Sequence, residues 1–568
     1  VITHPEFEIL DEGENNVFSG GVIPIYPMTK EFSSIGLEQR RLRKIIQTIL
    51  DSKISIPDFF SIQIVKKYKL ISLNKALHLI HFSKNVDELK LAIRRLKFEE
   101  HFFLQLLVAL KKYNIQTIGT QAMPDIGPYF KIISGSLDFE LTKAQKKVIQ
   151  EIHNDLKISR PMNRLIQGDV GCGKTIVAIL VSSLAVGNNM QVAVMAPTEI
   201  LARQHYLSFK NEFDKVNIPS CLLVGKMKKT DREPILQGLQ KGKISIVIGT
   251  HALIQDDVKF KKLGLVIIDE QHRFGVNQRL HILDKGSNPH LMSMTATPIP
   301  RTLSITYHGD MDLSIIDELP ANRIPVTTKI VDQSKIEKVY NFIKEKIALG
   351  RQAIIVYPLV VESEKSDLAA AVEAHELLSN VKFPKIKVGL IHGKMKPKEK
   401  EKTINKFNKN KIKILVSTTV VEVGIDVPNA TIMLVEHAER FGLTQLHQLR
   451  GRVGRGSEKS YCILVKRNQS NVSNTRLEIM EKTNDGFLIA DEDLNLRGPG
   501  EVFGIKQSGF FQYKIADVVK DGKIIREARE LAFGLVKEDP TLNKKSNRGI
   551  RKLFRKKYSE YLENFNLI

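Results

Sequence analysis

The sequence predicts an α/β chain built on two tandem lobes, each a parallel sheet wrapped by helices, with a helical stretch before them and another after. Two observations carry this. Between residues 141 and 294 short apolar runs, such as Gln191-Val-Ala-Val-Met195 and Leu265-Val-Ile-Ile268, alternate with amphipathic helical stretches, and the same rhythm returns between 353 and 465. Strands buried on both faces read as continuous apolar runs, and strand–helix alternation implies parallel pairing. The length allows it: 568 residues, 42% apolar and 26% charged, correspond to about three or four domains, each able to bury its own core.

Taken in order, residues 1–36 mix short apolar stretches with Gly20-Gly21, Pro24 and Pro27, the pattern of the end of a small β-structure. In 37–50 and again in 86–110 apolar residues fall three and four apart among Arg, Lys and Glu, so 37–135 reads as a helical linker, with Phe98, Phe102 and Phe103 in its core. Lobe 1 spans 136–322, with strands expected at 164–167, 191–195, 244–248, 265–268 and 291–294. Lobe 2 spans 323–478, with strands at 353–357, 388–391, 412–416, 431–435 and 461–465, and the two join near Pro320 to Pro325. Residues 479–568 turn polar and then helical, and no repeat of solenoid length is evident.

Charge narrows the partner. With 86 Lys and Arg against 63 Asp and Glu, the formal charge of +23 favours a polyanion, nucleic acid ahead of a lipid surface. The three cysteines, Cys172, Cys221 and Cys462, have neither zinc-site spacing nor a disulfide framework, which fits a reducing compartment. No apolar run approaches the roughly 18 residues of a membrane span, and residues 1–6 lack a basic start and a secretory core. A soluble, cytoplasmic chain is expected.

The strongest local signal is Gly168-Asp169-Val170-Gly171-Cys172-Gly173-Lys174-Thr175, which matches G-x-x-x-x-G-K-[ST] between an expected strand and an apolar helix. Glycines let backbone N–H groups turn toward phosphates, and the helix start adds partial positive charge. Lys174 is expected to bridge the β- and γ-phosphates and the Thr175 hydroxyl to ligate magnesium. About a hundred positions on, Asp269-Glu270 ends a buried strand, where ligands of open α/β sheets gather. Asp269 is the candidate metal holder and Glu270 the candidate to polarise the attacking water. Lobe 2 supplies Gln448-Leu-Arg-Gly451-Arg452-Val-Gly454-Arg455, whose arginines would neutralise charge on a γ-phosphoryl group held by lobe 1.

The order of these landmarks resembles a known family. Asp269-Glu270-Gln271-His272 is similar to the DExH box of superfamily 2 helicases, and Ala196-Pro197-Thr198-Glu199, Gly249-Thr250-His251, Thr295-Ala296-Thr297, Val423-Gly424-Ile425-Asp426 and the Gln448 to Arg455 segment follow in that family's order. Gly168 to Gly171, Asp269 to Val276, Met294 to Thr302 and Asp493 to Glu501 resemble the RecG family of ATP-dependent branch-migration helicases, over nearly the whole chain.

The resemblance implies RecA-like helicase lobes, a partial oligonucleotide-binding (OB) segment at the N-terminus, a C-terminal translocation segment, ATP and Mg2+ as cofactors, and branched double-stranded DNA (forks, Holliday junctions) as partner in repair and recombination. A monomer is implied, with a single-stranded-DNA-binding protein as a further partner. By position, Gln145 with Phe139 beside it would recognise adenine, and Gly424 and Asp426 would join the phosphate loop at the nucleotide. Pro197, Thr198, Gly249, Thr250, Thr418 and Thr419 would face the DNA backbone. Gln271, His272, Thr295 and Thr297 would couple the two, Arg452 and Arg455 would be the arginine fingers, and Arg497 and Gln507 would link lobe movement to duplex movement. The family's wedge barrel is represented only by Thr3 to Glu6 and Pro24 to Thr29, so a shortened member with an intact motor is expected, its fork specificity in question.

Two rival readings are a transcription-repair coupling translocase of the Mfd type and a passive DNA-binding nucleotide switch. No polymerase-interacting module is recognisable, and the Asp269 to His272 box, Thr295-Ala-Thr297 and the arginine pair argue against a passive switch. The basic run at 544–557 reads as a solvated helix end as readily as a grip on duplex phosphates, whereas that at 394–413 reads as an exposed helix face rather than a DNA track.

Overall fold

The computed structural model of the chain describes residues 22–52, 56–117, 119–297, 309–320, 323–358, 364–418, 427–456, 458–467, 471–497 and 513–564. It divides into two compact units, one from 1–114, 305–310 and 504–568, the other from 115–304 and 311–503.

The larger unit holds both lobes. Lobe 1 is a sheet of β1 (Asn163–Gly168), β2 (Gln191–Met195), β3 (Ser220–Leu223), β4 (Ile246–Gly249), β5 (Leu263–Ile268), β6 (His290–Thr295) and β7 (Asp312–Ile316), in the order β3-β4-β2-β5-β6-β1-β7. Lobe 2 is a sheet of β8 (Thr327–Asp332), β9 (Gln352–Val356), β10 (Val388–Ile391), β11 (Ile414–Ser417), β12 (Ala430–Val435) and β13 (Tyr461–Lys466), in the order β10-β11-β9-β12-β13-β8. All pairings between these strands are parallel. The two RecA-like parallel-sheet lobes expected from the sequence are thus present.

Three strands escaped the sequence reading, β3, β7 and β8, and all three are sheet edges. Ser220-Cys-Leu-Leu, Asp312-Leu-Ser-Ile-Ile and Thr327-Thr-Lys-Ile-Val-Asp are only partly buried. An edge strand needs no continuous apolar run, so that signal is missing. Central β2, β5 and β12 are buried at every position. Helix Lys174–Gly187 is apolar almost all round and buried from Val177 to Val186, as a helix enclosed on every side must be.

The lobes share a local device. Asp269-Glu-Gln-His-Arg-Phe-Gly-Val-Asn-Gln278 after β5 and Glu436-His-Ala-Glu-Arg-Phe-Gly-Leu-Thr-Gln445 after β12 align position by position on Arg-Phe-Gly-x-x-Gln. In both, the second residue takes a left-handed φ, 49° at Glu270 and 50° at His437, and a 3-10 turn follows. The glycine N–H then donates to the glutamine Oε1, Gly275 to Gln278 at 3.1 Å and Gly442 to Gln445 at 3.2 Å, capping the next helix. A search for long repeats passes over so short a match.

In the smaller unit the helix Val86–Thr117 packs with Gly522–Glu538 and Arg548–Asn564, so the N- and C-terminal helical stretches, read separately in the sequence, form one core. Phe98, Phe102 and Phe103 are buried in it, as expected of a helix core, with Phe103 stacked on Phe554. Arg95, on the same helix, is fully buried between Asp58 at 2.9 Å and Glu99 at 3.5 Å, with its guanidinium over the rings of Phe59 and Phe60. Removing one member of a buried ionic cluster strands the others' charge. Arg95→Leu is therefore expected to destabilise this unit by about 3 kcal/mol, seen as faster amide exchange through Val86–Thr117. Among the described residues no helix is long and apolar enough to cross a membrane.

Candidate active site

The sheet order of lobe 1 gathers the sequence-predicted residues at one edge. In the order β2-β5-β6-β1, the C-terminal ends carry Pro197 and Thr198, then Asp269 and Glu270, then Thr295, then Gly168. This is where a parallel open sheet binds ligands.

The phosphate loop has a backbone that only glycine tolerates. Gly171 and Gly173 take φ of 80° and 88°. A Cβ on Gly168 would meet the Cys172 thiol at 2.5 Å, one on Gly171 the Arg323 guanidinium, and one on Gly173 the Gln145 amide. Lys174 begins the following helix, and its Nζ donates to the carbonyls of Gly168 at 2.7 Å and Asp169 at 2.8 Å, holding the ammonium over the loop. Thr175 follows it in the same first turn. Cys172 is buried, and burial pushes its thiol up.

Gln145 is buried and caps its own helix: its Oε1 accepts from Thr142 N at 2.9 Å, and its Nε2 donates to the Cys172 carbonyl at 2.8 Å. The segment containing Gln145 is thereby fastened to the phosphate loop. Phe139 is 48% exposed just ahead of it.

The carboxylate pair is buried and split in character. Asp269 Oδ2 lies 2.7 Å from His205 Nε2, and its Oδ1 accepts from Glu270 N at 2.9 Å. Burial alone would raise the Asp269 carboxyl, but His205, Lys174 and the Glu270 N–H outweigh it and hold it below the usual range. Glu270 has longer contacts: its Oε2 accepts from Ala296 N at 3.4 Å and lies 3.6 Å from His272 Nδ1. Burial, then the neighbouring Asp269 charge, pushes it up to about 7 against opposition from Lys174, Ala296 N–H and Arg452. An ionised carboxylate beside one poised to take a proton is the division of labour expected of a metal holder and a base. Glu270 also occupies left-handed backbone, strain that a functional site tolerates when its surroundings fix it.

This pair sets a pH dependence. Glu270 binds its proton more tightly folded than unfolded, so its contribution to stability falls as pH rises from the ordinary glutamate range through about 7. With Glu270 as base, kcat/KM for ATP, which reports the free protein, is expected to rise through about pH 7. A flat profile between about pH 6 and 8 would remove Glu270 from that role.

Lobe 2 reaches this cleft. Gly451 lies against Val170, where an added Cβ would meet the valine at 2.6 Å, and His447 Nε2 lies 2.5 Å from Asp169 Oδ1. Arg452 is buried, and its charge acts on Glu270. Arg455 Nε donates to the Gly451 carbonyl at 3.4 Å. Arg323, from the connection between lobes, donates to the Val170 carbonyl.

Of the remaining expected residues, Thr198 accepts from Leu201 N and caps helix Glu199–Phe213. Gly249 ends β4 with no room for a side chain, Thr250 is buried behind it, and Thr418 is buried at the end of β11. Thr295 Oγ1 and Thr297 Oγ1 are 2.7 Å apart. Gln271 is buried, while His272 keeps 42% of its side chain exposed, with Nδ1 3.6 Å from Glu270 Oε2. Partial burial, then Arg273, holds that imidazole below its usual range. Arg497 ends helix Gly486–Arg497. Thr419, Gly424, Asp426 and Gln507 lie outside the described residues.

Sequence reasoning missed His205, Arg323 and His447. One signal was available: Ala202, His205, Phe209 and Phe213 form the buried stripe of helix Glu199–Phe213, and an ionisable residue on such a stripe needs a partner. The donor set suits the expected ligand, since a threonine hydroxyl and an aspartate held in its ionised form are hard oxygen donors.

Three family models match in series: "DEAD/DEAH box helicase" over residues 142–305, "Helicase conserved C-terminal domain" over 334–457, and "ATP-dependent DNA helicase RecG, domain 3, C-terminal" over 483–560. The chain is 46% identical over 545 residues to the ATP-dependent DNA helicase RecG of Synechocystis sp., covering 95% of this chain and 65% of the relative. It is 44% identical to that of Streptococcus pneumoniae, covering 90% of this chain and 75% of the relative. A solved structure of RecG bound to a three-way DNA junction superposes with a TM-score of 0.70 at 42% identity, covering 91% of this chain and 67% of that one.

Proposed function

The chain belongs to the RecG family of ATP-dependent DNA helicases, and on that premise we propose that it is an ATP-driven double-stranded DNA translocase that remodels branched DNA. The observation that carries the reading is the shared cleft: the phosphate loop and the Asp269–Glu270 pair come from lobe 1, while Arg452 approaches them from lobe 2. A nucleotide site with walls on two bodies makes hydrolysis depend on their closure.

In this reading ATP supplies the γ-phosphoryl group; Thr175 and Asp269 would hold Mg2+, which would supply charge neutralisation there. Backbone N–H groups of Gly171 to Thr175 bind phosphate, Lys174 lies over them, and Gln145 stands at the adenine end with Phe139. Glu270 takes the proton of the attacking water, and Arg452 and Arg455 offset charge as the lobes close. Pro197 and Thr198 face the DNA backbone, and Gly249, Thr250, Thr418 and Thr419 belong to the same proposed surface through their backbone, since the Thr250 and Thr418 side chains are buried; Gln271, His272, Thr295 and Thr297 stand between the two sites. Arg497 and Gln507 transmit the stroke, and Gly424 and Asp426 complete the nucleotide wall.

The chain spans 65% of the length of its Synechocystis relative, so action on forks and Holliday junctions in repair and recombination is part of the proposal, as are the monomeric state, a single-stranded-DNA-binding partner and cytoplasmic location. The three-way junction bound by the solved RecG supports branched DNA as partner. The test is ATP turnover with and without branched duplex, alongside displacement of a third strand from a triplex. Strong stimulation and ATP-dependent displacement are expected. Arg497→Ala should keep most of the turnover and lose displacement, whereas turnover indifferent to DNA would favour a passive switch.

A further inference from the structure

We propose that His447 is a positioning residue that clasps the phosphate loop to the arginine-bearing segment of lobe 2; this rests on the ATP-driven reading above. His447 lies in helix Leu443–Arg450 and is almost fully buried. Its Nε2 is 2.5 Å from Asp169 Oδ1, and its Nδ1 is 2.9 Å from Arg450 Nη2. A guanidinium has donors only, so Nδ1 must accept, and the ring proton belongs on Nε2, donated to the Asp169 carboxylate. Arg450 thus selects the tautomer that can grip Asp169.

Arg450 is itself fixed. Its Nη1 donates to the carbonyls of Met480 and Thr483, each at 2.9 Å, and to Thr328 Oγ1 at 3.3 Å, which ties the relay to the body of lobe 2. On the other side Asp169 Oδ1 also accepts from Val170 N at 2.6 Å. Burial would raise this carboxyl, but the bond from His447, the Val170 N–H and Lys174 hold it below its usual range. Gly451 seats on Val170 beside the clasp, and Arg323 holds the Val170 carbonyl from the inter-lobe connection.

The position of the clasp gives it consequence. Asp169 is part of the loop whose carbonyls hold Lys174, and Arg452, whose charge acts on Glu270, follows His447 by five residues. Cutting the hydrogen bond frees the arginine segment to drift relative to the loop. A displacement of about 1 Å at a reacting centre can cost roughly 10²-fold in rate.

The test measures DNA-stimulated ATP turnover together with mant-ATP affinity in wild type, His447→Ala, His447→Gln, Asp169→Ala and the double variant His447→Ala/Asp169→Ala. His447→Ala should lower kcat by about tenfold to a hundredfold, with mant-ATP affinity changed by no more than about threefold. His447→Gln, which keeps an N–H near the place of Nε2, should recover most of the loss. The double variant should lose no more than the worse single variant, because both cut one bond. Unchanged kcat in His447→Ala, or additive losses, would overturn the proposal. Amide exchange of residues 443–451 supplies a readout independent of turnover: it should speed up in Asp169→Ala, and unaltered exchange would overturn the clasp even if His447→Ala fails to fold. Absence of DNA-stimulated turnover in the wild type counts instead against the translocase reading.

Discussion

Replacing Arg452 with alanine is expected to lower ATP turnover by about 10³-fold or more while nucleotide affinity changes little. The expectation follows from what the arginine does to its surroundings. Arg452 is buried at the cleft, and its positive charge already favours the ionised form of Glu270. A cation delivered to a developing γ-phosphoryl charge in a water-poor cleft stabilises the transition state far more than the ground state. Losing it should therefore appear in kcat, measured under saturating ATP and DNA, and not in mant-ATP binding. Arg452→Lys should recover only part of the loss, because a point charge on a flexible stem does not reproduce the planar fork. Equal losses in affinity and turnover would assign the residue to ground-state binding.

The second large effect is at Lys174. Lys174→Ala should abolish measurable turnover, a loss of at least about 10²-fold, and weaken ATP binding as well, since the ammonium sits over the loop in the resting protein through the Gly168 and Asp169 carbonyls. DNA affinity should be largely kept, because the residues proposed to face the backbone stand at the ends of other strands. Measuring duplex binding by anisotropy beside ATP turnover separates the two. Parallel loss of both would mean that the variant has unfolded the lobe or that Lys174 belongs to the DNA surface.

How much of this was legible depends on range. The phosphate loop, the Asp269–Glu270 pair and the central strands are local patterns: glycines at fixed spacing, an acid at a strand end, continuous apolar runs. Edge strands β3, β7 and β8 carry no such pattern because most of their residues are only partly buried. Contacts made only by tertiary approach were beyond reach. His205 meets Asp269 from 64 residues away, and His447 meets Asp169 from 278 residues away; nothing in the local sequence of either histidine names its partner. The union of the two terminal helical stretches has the same cause, since the apolar face of Val86–Thr117 gives no hint that Phe554 and Tyr558 will cover it. The duplicated Arg-Phe-Gly-x-x-Gln turn was readable, and required only comparing one lobe's sequence with the other's.

The account depends on hydrolysis being completed by residues that lobe 2 brings to lobe 1. Its most direct test is stopped-flow energy transfer between one dye on each lobe, recorded with phosphate release during a single turnover of ATP on branched duplex. The account predicts a rise in transfer that precedes cleavage, a cleavage rate that never exceeds the closure rate, and loss of cleavage when a cross-link holds the lobes apart. Cleavage at the full rate in the cross-linked protein would contradict it.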